Sequence, residues 1–487
     1  MAVLANARRM IRWTLLGTML IVASAAQAVP SFARQTGQNC VACHAGGNFP
    51  ELTPYGRMFK LTGYTIGERT IPLAVMGVVS LNQTRNTSDP YGDKAADFPK
   101  DGDVIFQTGS LFIAGKIAEN FGGFAQVTYN NYDTLDANGK WHGHSGADNI
   151  DIRYADRFIS SDRDVIFGVT LNNNPQAQDV WNSVPAWGYN TVPGSSGPPV
   201  TPLIAGGLAQ SVAGLGAYAQ FNKNNQSLYG EISLYGNADG VFRFMSAGHS
   251  VDRGDLQKVK ELNPYFRLAY SRDWGASNAM IGMYAMRTRL YPDPASPAGE
   301  TTRYTDVGVD AQYQYLLDPH TFTAQTSYTR ERISYASSVA GQTPDFVDAD
   351  GNPLADTNAS DTLNIFRLKA TYIYRAKYGT SLSYFNVTGT PNTLNQTSGY
   401  DPATLTIAPP SSADASVTST PVSGNLLGSP GSRGGTVEAF WMPWQYVRFG
   451  IQYTYYARFN GAASNYDGFG RNAKDNDTLF LYAWGAY

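Results

Sequence analysis

From residue 73 to the last residue, 487, apolar and polar side chains alternate segment after segment, and no stretch there is apolar enough for a membrane helix. In 447–459, Val447, Phe449, Ile451, Tyr453, Tyr455, Ala457 and Phe459 form one face. Arg448, Gly450, Gln452, Thr454, Tyr456 and Arg458 form the other. In 306–317, Val307, Val309, Ala311, Tyr313, Tyr315 and Leu317 alternate with Asp306, Gly308, Asp310, Gln312 and Gln314. A period of two residues belongs to strands. A soluble sandwich alternates too, so connection lengths must discriminate. Sixteen strands are expected, from 73–85 to 477–487, with the fourth at 149–158. Tight turns such as Ala376-Lys377 and Pro443-Trp444-Gln445 alternate with long polar connections such as 174–212 and 390–433. Short periplasmic turns and long extracellular loops are the habit of outer-membrane barrels. A mean hydropathy of −0.29 agrees, because only every second residue has to meet lipid. The last strand alternates through Leu479, Leu481, Ala483 and Gly485 to a terminal Tyr487, and Trp274, Trp441, Trp444 and Trp484 are expected in interfacial girdles.

Ahead of this region lies Cys40-Val41-Ala42-Cys43-His44, which contains both cysteines of the chain. The spacing C-x-x-C-H is that of a c-type haem attachment, with two thiols for the vinyl groups and His44 as proximal iron ligand. A zinc site would need two further soft ligands at short spacing, and none follows. Residues 1–28 read as an export signal: Arg8, Arg9 and Arg12, then an apolar stretch, then Ala26-Gln27-Ala28. Loss of those three arginines takes the net charge from −3 to −6, which argues against nucleic acid as a partner. The domains expected are thus a signal at 1–28, a monohaem segment at 29–72 and a barrel at 73–487.

About forty mature residues rarely bury enough surface to fold unaided. Covalent haem and the barrel lumen would supply the missing core. Thr53-Pro54 reads as an N-cap with proline at the first helical position, and Gly63 as the stop. On that helix Tyr55, Met58, Phe59 and Thr62 are expected to share a face that covers haem, with Arg57 and Lys60 turned away. Met58 is the candidate distal iron ligand, ahead of Met76 at the first strand. His142, His144 and His249 fall in expected extracellular loops and His320 at a periplasmic turn. Acidic clusters stand in the first loop (Asp89, Asp93, Asp97, Asp101, Asp103) and the sixth (Asp345, Asp348, Asp350, Asp356, Asp361), where they would favour cations. No nucleophile–base set or carboxylate pair suggests catalytic residues.

Four segments carry a resemblance. They are Pro30-Ser31-Phe32-Ala33-Arg34-Gln35-Thr36-Gly37, Cys40 to His44, Phe49-Pro50-Glu51-Leu52-Thr53-Pro54-Tyr55-Gly56-Arg57, and Phe59-Lys60-Leu61-Thr62-Gly63-Tyr64. Together they resemble the fused cytochrome–porin family, in which a short monohaem cytochrome c is joined to a sixteen-stranded outer-membrane barrel. The resemblance implies one covalent haem on Cys40, Cys43 and His44. It also implies an all-β transmembrane barrel with a short α-helical haem segment in its lumen. It further implies electron transfer from extracellular Fe(II), or another donor, to a soluble periplasmic cytochrome or copper protein. Were that an enzyme activity, it would be that of an Fe(II):cytochrome c oxidoreductase. The spacer Ala45-Gly46-Gly47-Asn48 is longer than the family pattern. A solute porin with a haem plug or sensor, and outward electron export, remain the competing expectations.

Overall fold

In a computed structural model, residues 30–88, 100–135, 140–181, 198–247, 256–336, 358–392, 425–468 and 470–487 are described. The expected signal at 1–28 lies outside them. So do His249, Asp89, Asp93, Asp97, Asp345, Asp348, Asp350 and Asp356.

Sixteen antiparallel strands close into one barrel. They are β1 (Leu73–Thr84), β2 (Val104–Ala118), β3 (Phe121–Leu135), β4 (Trp141–Ile159), β5 (Asp164–Asn172), β6 (Val212–Lys223), β7 (Gln226–Asn237) and β8 (Asn263–Trp274). The circuit continues with β9 (Ser277–Leu290), β10 (Thr302–Leu317), β11 (His320–Ser334), β12 (Ser360–Tyr374), β13 (Tyr378–Gly389), β14 (Ser432–Trp444), β15 (Val447–Arg458) and β16 (Thr478–Ala486). Each strand pairs with its sequence neighbours, and β1 pairs with β16, from Met76↔Ala486 to Thr84↔Thr478. Closure leaves no unpaired edge, which is what a hydrocarbon surrounding demands.

The alternation is realised as an inside-out pattern. On β10, Asp306, Asp310, Gln312 and Gln314 are buried in the lumen while Val307 and Val309 are exposed outside. Leu215 and Ile281, each 64% exposed, belong to the same outer apolar surface. Such a continuous exposed apolar band suits lipid and not water. Among the described residues no helix is long and apolar enough to cross a membrane.

Three sequence expectations change here. β4 begins at Trp141, eight residues before the expected start, so His142 and His144 lie on a strand and not in a loop. The stretch Trp141-His142-Gly143-His144-Ser145-Gly146-Ala147-Asp148 has no apolar alternation. Pairing with an over-long β3, with two register shifts, makes it a strand. Phe459 faces inward, 3% exposed and in contact with Tyr456 and Tyr466, because a bulge opposite Arg433 reverses the phase after Ala457. That shift also puts Arg458 outside. Trp484 is not a girdle residue: it stands on the inner face of β16 against Phe49, with ring centroids 5.4 Å apart. Trp274, Trp441 and Trp444 are exposed as expected.

The long connection after β5 also departs from expectation. A long polar connection is expected outside the barrel, yet its described parts enter the lumen. Asp179, Val180 and Trp181 are buried, as are Ile204 and Leu208 beyond it. Trp181 lies 5.4 Å from Tyr229 and beneath the guanidinium groups of Arg57 and Arg267.

Candidate haem site

The segment before β1 folds as three short helices, α1 (Pro30–Thr36), α2 (Cys40–Cys43) and α3 (Pro54–Leu61), inside the barrel. α1 is pinned by Gln35. Its amide donates to the carbonyls of Tyr64 (2.7 Å) and Ile66 (2.9 Å), and its Oε1 accepts from Lys116 N on β2 (2.8 Å). Phe32 stacks on Tyr64 at 5.3 Å and meets Phe59 edge-on at 5.0 Å. α2 is a single turn whose first N–H, at Cys40, donates to Gln445 Oε1 in the tight β14–β15 turn (3.1 Å).

Thr53 joins α2 to α3. Its hydroxyl accepts from Gly56 N (3.1 Å), the expected cap, and donates to Ala42 O (2.5 Å), while its backbone N–H donates to Cys43 O (2.9 Å). Gly56 then lies so close to the attachment turn that a Cβ there would stand 2.1 Å from Cys43 O. The four-residue spacer is accommodated by backbone conformation. Gly46 and Gly47 have φ of 59° and 79°, and Asn48 then accepts a hydrogen bond from Arg448. Arg448 also pairs with Glu438 (2.9 Å), which accepts from Tyr482 (2.6 Å) and Ser381 (2.8 Å).

These elements enclose a cavity of about 490 Å³. Cys40, Cys43 and His44 line it together with Phe32, Phe49, Phe59, Phe112, Phe124 and Trp484. It sits at the rim that carries the tight turns, the start of β1 and the end of β16. The wall around the segment is tied to it on all sides. Tyr64 Oη donates to Asp151 (2.6 Å), Tyr218 Oη donates to Leu61 O (2.7 Å), and Lys369 pairs with Glu51 (3.0 Å).

The residues fit a covalent haem. Cys40 and Cys43 form no disulfide with each other and stand one turn apart on the cavity wall. Burial, and secondarily Cys40, pushes the Cys43 thiol up to about 11, so it stays protonated. His44 is buried beside Phe49 (4.1 Å), and its Nδ1 has no hydrogen-bond partner among the described residues. Burial pushes its imidazole down to about 3, leaving the neutral form that ligates metal. The cavity's volume and mostly apolar lining are those of a cofactor site. Among the described residues no group of three or more His, Cys, Asp or Glu side chains converges.

The expected face of α3 is corrected. Gly56, Phe59 and Lys60 look into the cavity. Met58 does not: it packs against the cluster of Leu61, Ile166 and Trp181 and lines a separate space with Tyr55 and Arg57. Arg57 is turned away from the cavity as expected, whereas Lys60 lines it. Arg57 donates to Asn278 (2.6 Å), Gln312 and Gln314 (both 3.2 Å). Lys60 donates to the carbonyls of Ala177 and, at 3.3 Å, Asp179 on the inward loop. In a barrel lumen the wall presents polar groups, so the charged face of a helix need not seek water. Gly56, Gln35 and Gln445 were missed as site residues; the resemblance contains the first two, but only the packing shows what they do.

No protein-family model and no curated protein matches the chain. Among solved structures it is similar to the outer membrane channel DcaP of Acinetobacter baumannii, at 12% identity over 85% of this chain and 96% of that one, with a TM-score of 0.41. It is also similar to Salmonella typhi OmpF in complex with daunomycin (12% identity, 85% and 97% covered, TM-score 0.44). Vibrio cholerae OmpT is a third (10% identity, 86% and 99% covered, TM-score 0.38). Likeness this loose leaves the barrel to stand on its own strand pairing.

Proposed function

We propose that this chain is an outer-membrane c-type cytochrome of the fused cytochrome–porin kind. It would take electrons from extracellular Fe(II), or another donor, and hand them to a soluble periplasmic cytochrome or copper protein. The observation that carries the reading is the cavity that gathers Cys40, Cys43 and His44 inside a closed, lipid-faced barrel. Bound there, a haem supplies one-electron chemistry at a membrane-embedded site. Cys40 and Cys43 would hold it by thioether bonds, and His44, kept neutral by burial, would ligate from one side. Phe32, Phe49, Phe59, Phe112, Phe124 and Trp484 would give the group an apolar surround, and on the wall Arg448 is paired with Glu438 and Lys369 with Glu51. The tight-turn rim is taken as periplasmic, so a partner would dock where the cavity lies nearest the surface.

The second reading, a solute porin with a haem plug or sensor, is favoured by the polar inward faces of β10 and its neighbours. Purified protein separates the two. On the first reading, denatured protein keeps its haem through acid-acetone extraction, stopped-flow mixing with Fe(II) shifts the haem bands to the reduced form, and a soluble cytochrome reverses them. A haem that stays oxidised while liposomes become permeable to small solutes selects the porin. A potential too low for Fe(II) to reduce would select outward electron export.

A further inference from the structure

We propose that Met76, and not Met58, supplies the distal axial ligand opposite His44, an assignment that rests on the haem reading above. Met76 lies on the inner face of β1, in phase with the buried Ala74, Val78 and Ser80, and lines the same cavity as Cys40, Cys43 and His44. It is the sole methionine among the described lining residues. Its cross-strand partners are small, Ala486 on β16 and Ser110 on β2, so neither neighbour covers the sulfur from the flanks. One register step along the same inner face is Trp484, paired with Val78. Trp484 backs Phe49, and Phe49 rests against the His44 ring at 4.1 Å. The walls that bear His44 and Met76 therefore bound one space.

The other donors on that wall are engaged elsewhere. Lys60 binds the carbonyls of Ala177 and Asp179, Lys369 binds Glu51, and Tyr64 binds Asp151. Gln126 donates to Ser110 and Thr128, both at 3.1 Å, and Glu438 is held by Arg448, Tyr482 and Ser381. Asn48 accepts from Arg448 and Thr36 donates to Phe32 O, and these, with Gln38 and Asn39, offer only hard oxygen and amide chemistry, poorly matched to haem iron. Met58 is excluded by helix geometry. Gly56, Phe59 and Lys60 stand at i, i+3 and i+4 and define the cavity face, which leaves position 58 on the opposite side. A thioether ligand raises the potential of the iron it binds.

The test uses full-length, haem-loaded protein in detergent with Met76→Leu, Met58→Leu and Met76→His. The readouts are the ferric thioether-to-iron charge-transfer band, the spin state by electron paramagnetic resonance, and the potential. The band is expected in wild type and Met58→Leu. It should be lost in Met76→Leu together with a downward shift in potential. Met76→His keeps a ligand in place should the leucine variant fail to accumulate, and it should convert the spectrum to that of two imidazoles. A band that survives in Met76→Leu, an unchanged spectrum in Met76→His, loss in Met58→Leu instead, or no such band in wild type overturns the assignment while the covalent haem stands. Wild type that yields its haem to acid-acetone extraction removes the haem reading itself, and this assignment with it.

Discussion

At the scale of single residues, the attachment turn leaves room for glycine alone at position 56. A methyl group there meets Cys43 O at 2.1 Å, and that carbonyl is held in place by Thr53 N. Gly56→Ala should therefore separate α3 from α2, at an overpacking cost of about 1–3 kcal/mol or more. The ratio of haem to protein in the purified variant should fall; wild-type loading would remove the argument. Thr53→Ala loses both the cap and the bond to Ala42 O, and about 1–2 kcal/mol of stability is expected to go with them, read from denaturant midpoints. Lys60 offers a pH signature. Burial pushes it down from 10.5 to about 8, partly opposed by Asp151. Between those values the folded chain binds fewer protons than the unfolded one, so stability should rise with pH through that window and fall away as pH drops to about 8. Protease resistance of residues 30–72, followed from pH 7 to 11, should climb in wild type and flatten in Lys60→Met; parallel curves would dismiss the effect.

Among elements, α3 and the inward loop meet. Lys60 reaches the carbonyls of Ala177 and Asp179, and the Trp181 ring meets both Arg57 of the helix and Arg267 of the wall. The loop thus buttresses the N-terminal segment. Trp181→Ala should cost about 3–5 kcal/mol, since a fully buried indole is truncated. It should also raise single-channel conductance in planar bilayers. Unchanged conductance with lowered stability would mean that the loop braces the segment without limiting passage. The strand elements were largely legible because period two survives wherever one face meets lipid. β4 was misplaced at its start because Gly143, Ser145 and Gly146 carry no such signal, and only pairing with β3 extends it.

For the molecule as a whole, the N-terminal segment depends on the barrel for its partners: Asp151, Lys369, Arg448, Gln445 and Tyr218 each bond to it from a different part of the wall or rim. Residues 29–72 exported alone should accumulate little covalent haem compared with the full chain, by in-gel haem stain. Equal loading would show that the segment folds without its barrel. Topology has its own measurement. A tag at Ala376-Lys377 should stay hidden on intact cells and one in 390–433 should be labelled; the reverse would invert the proposed orientation.

Local pattern was enough to determine the strand number, most of the inner and outer faces and the cap at Thr53, because each depends on residues within a few positions of one another. The tertiary structure decided which groups share the cavity, and that could not be read locally. Phe459 and Trp484 turned inward, one after a bulge and one where period two met a plug in place of a membrane interface. Met76 lines the cavity and Met58 does not, for a related reason. A helix inside a polar lumen has partners on every side, so the direction of its apolar face is set by the wall it packs against and not by its own sequence.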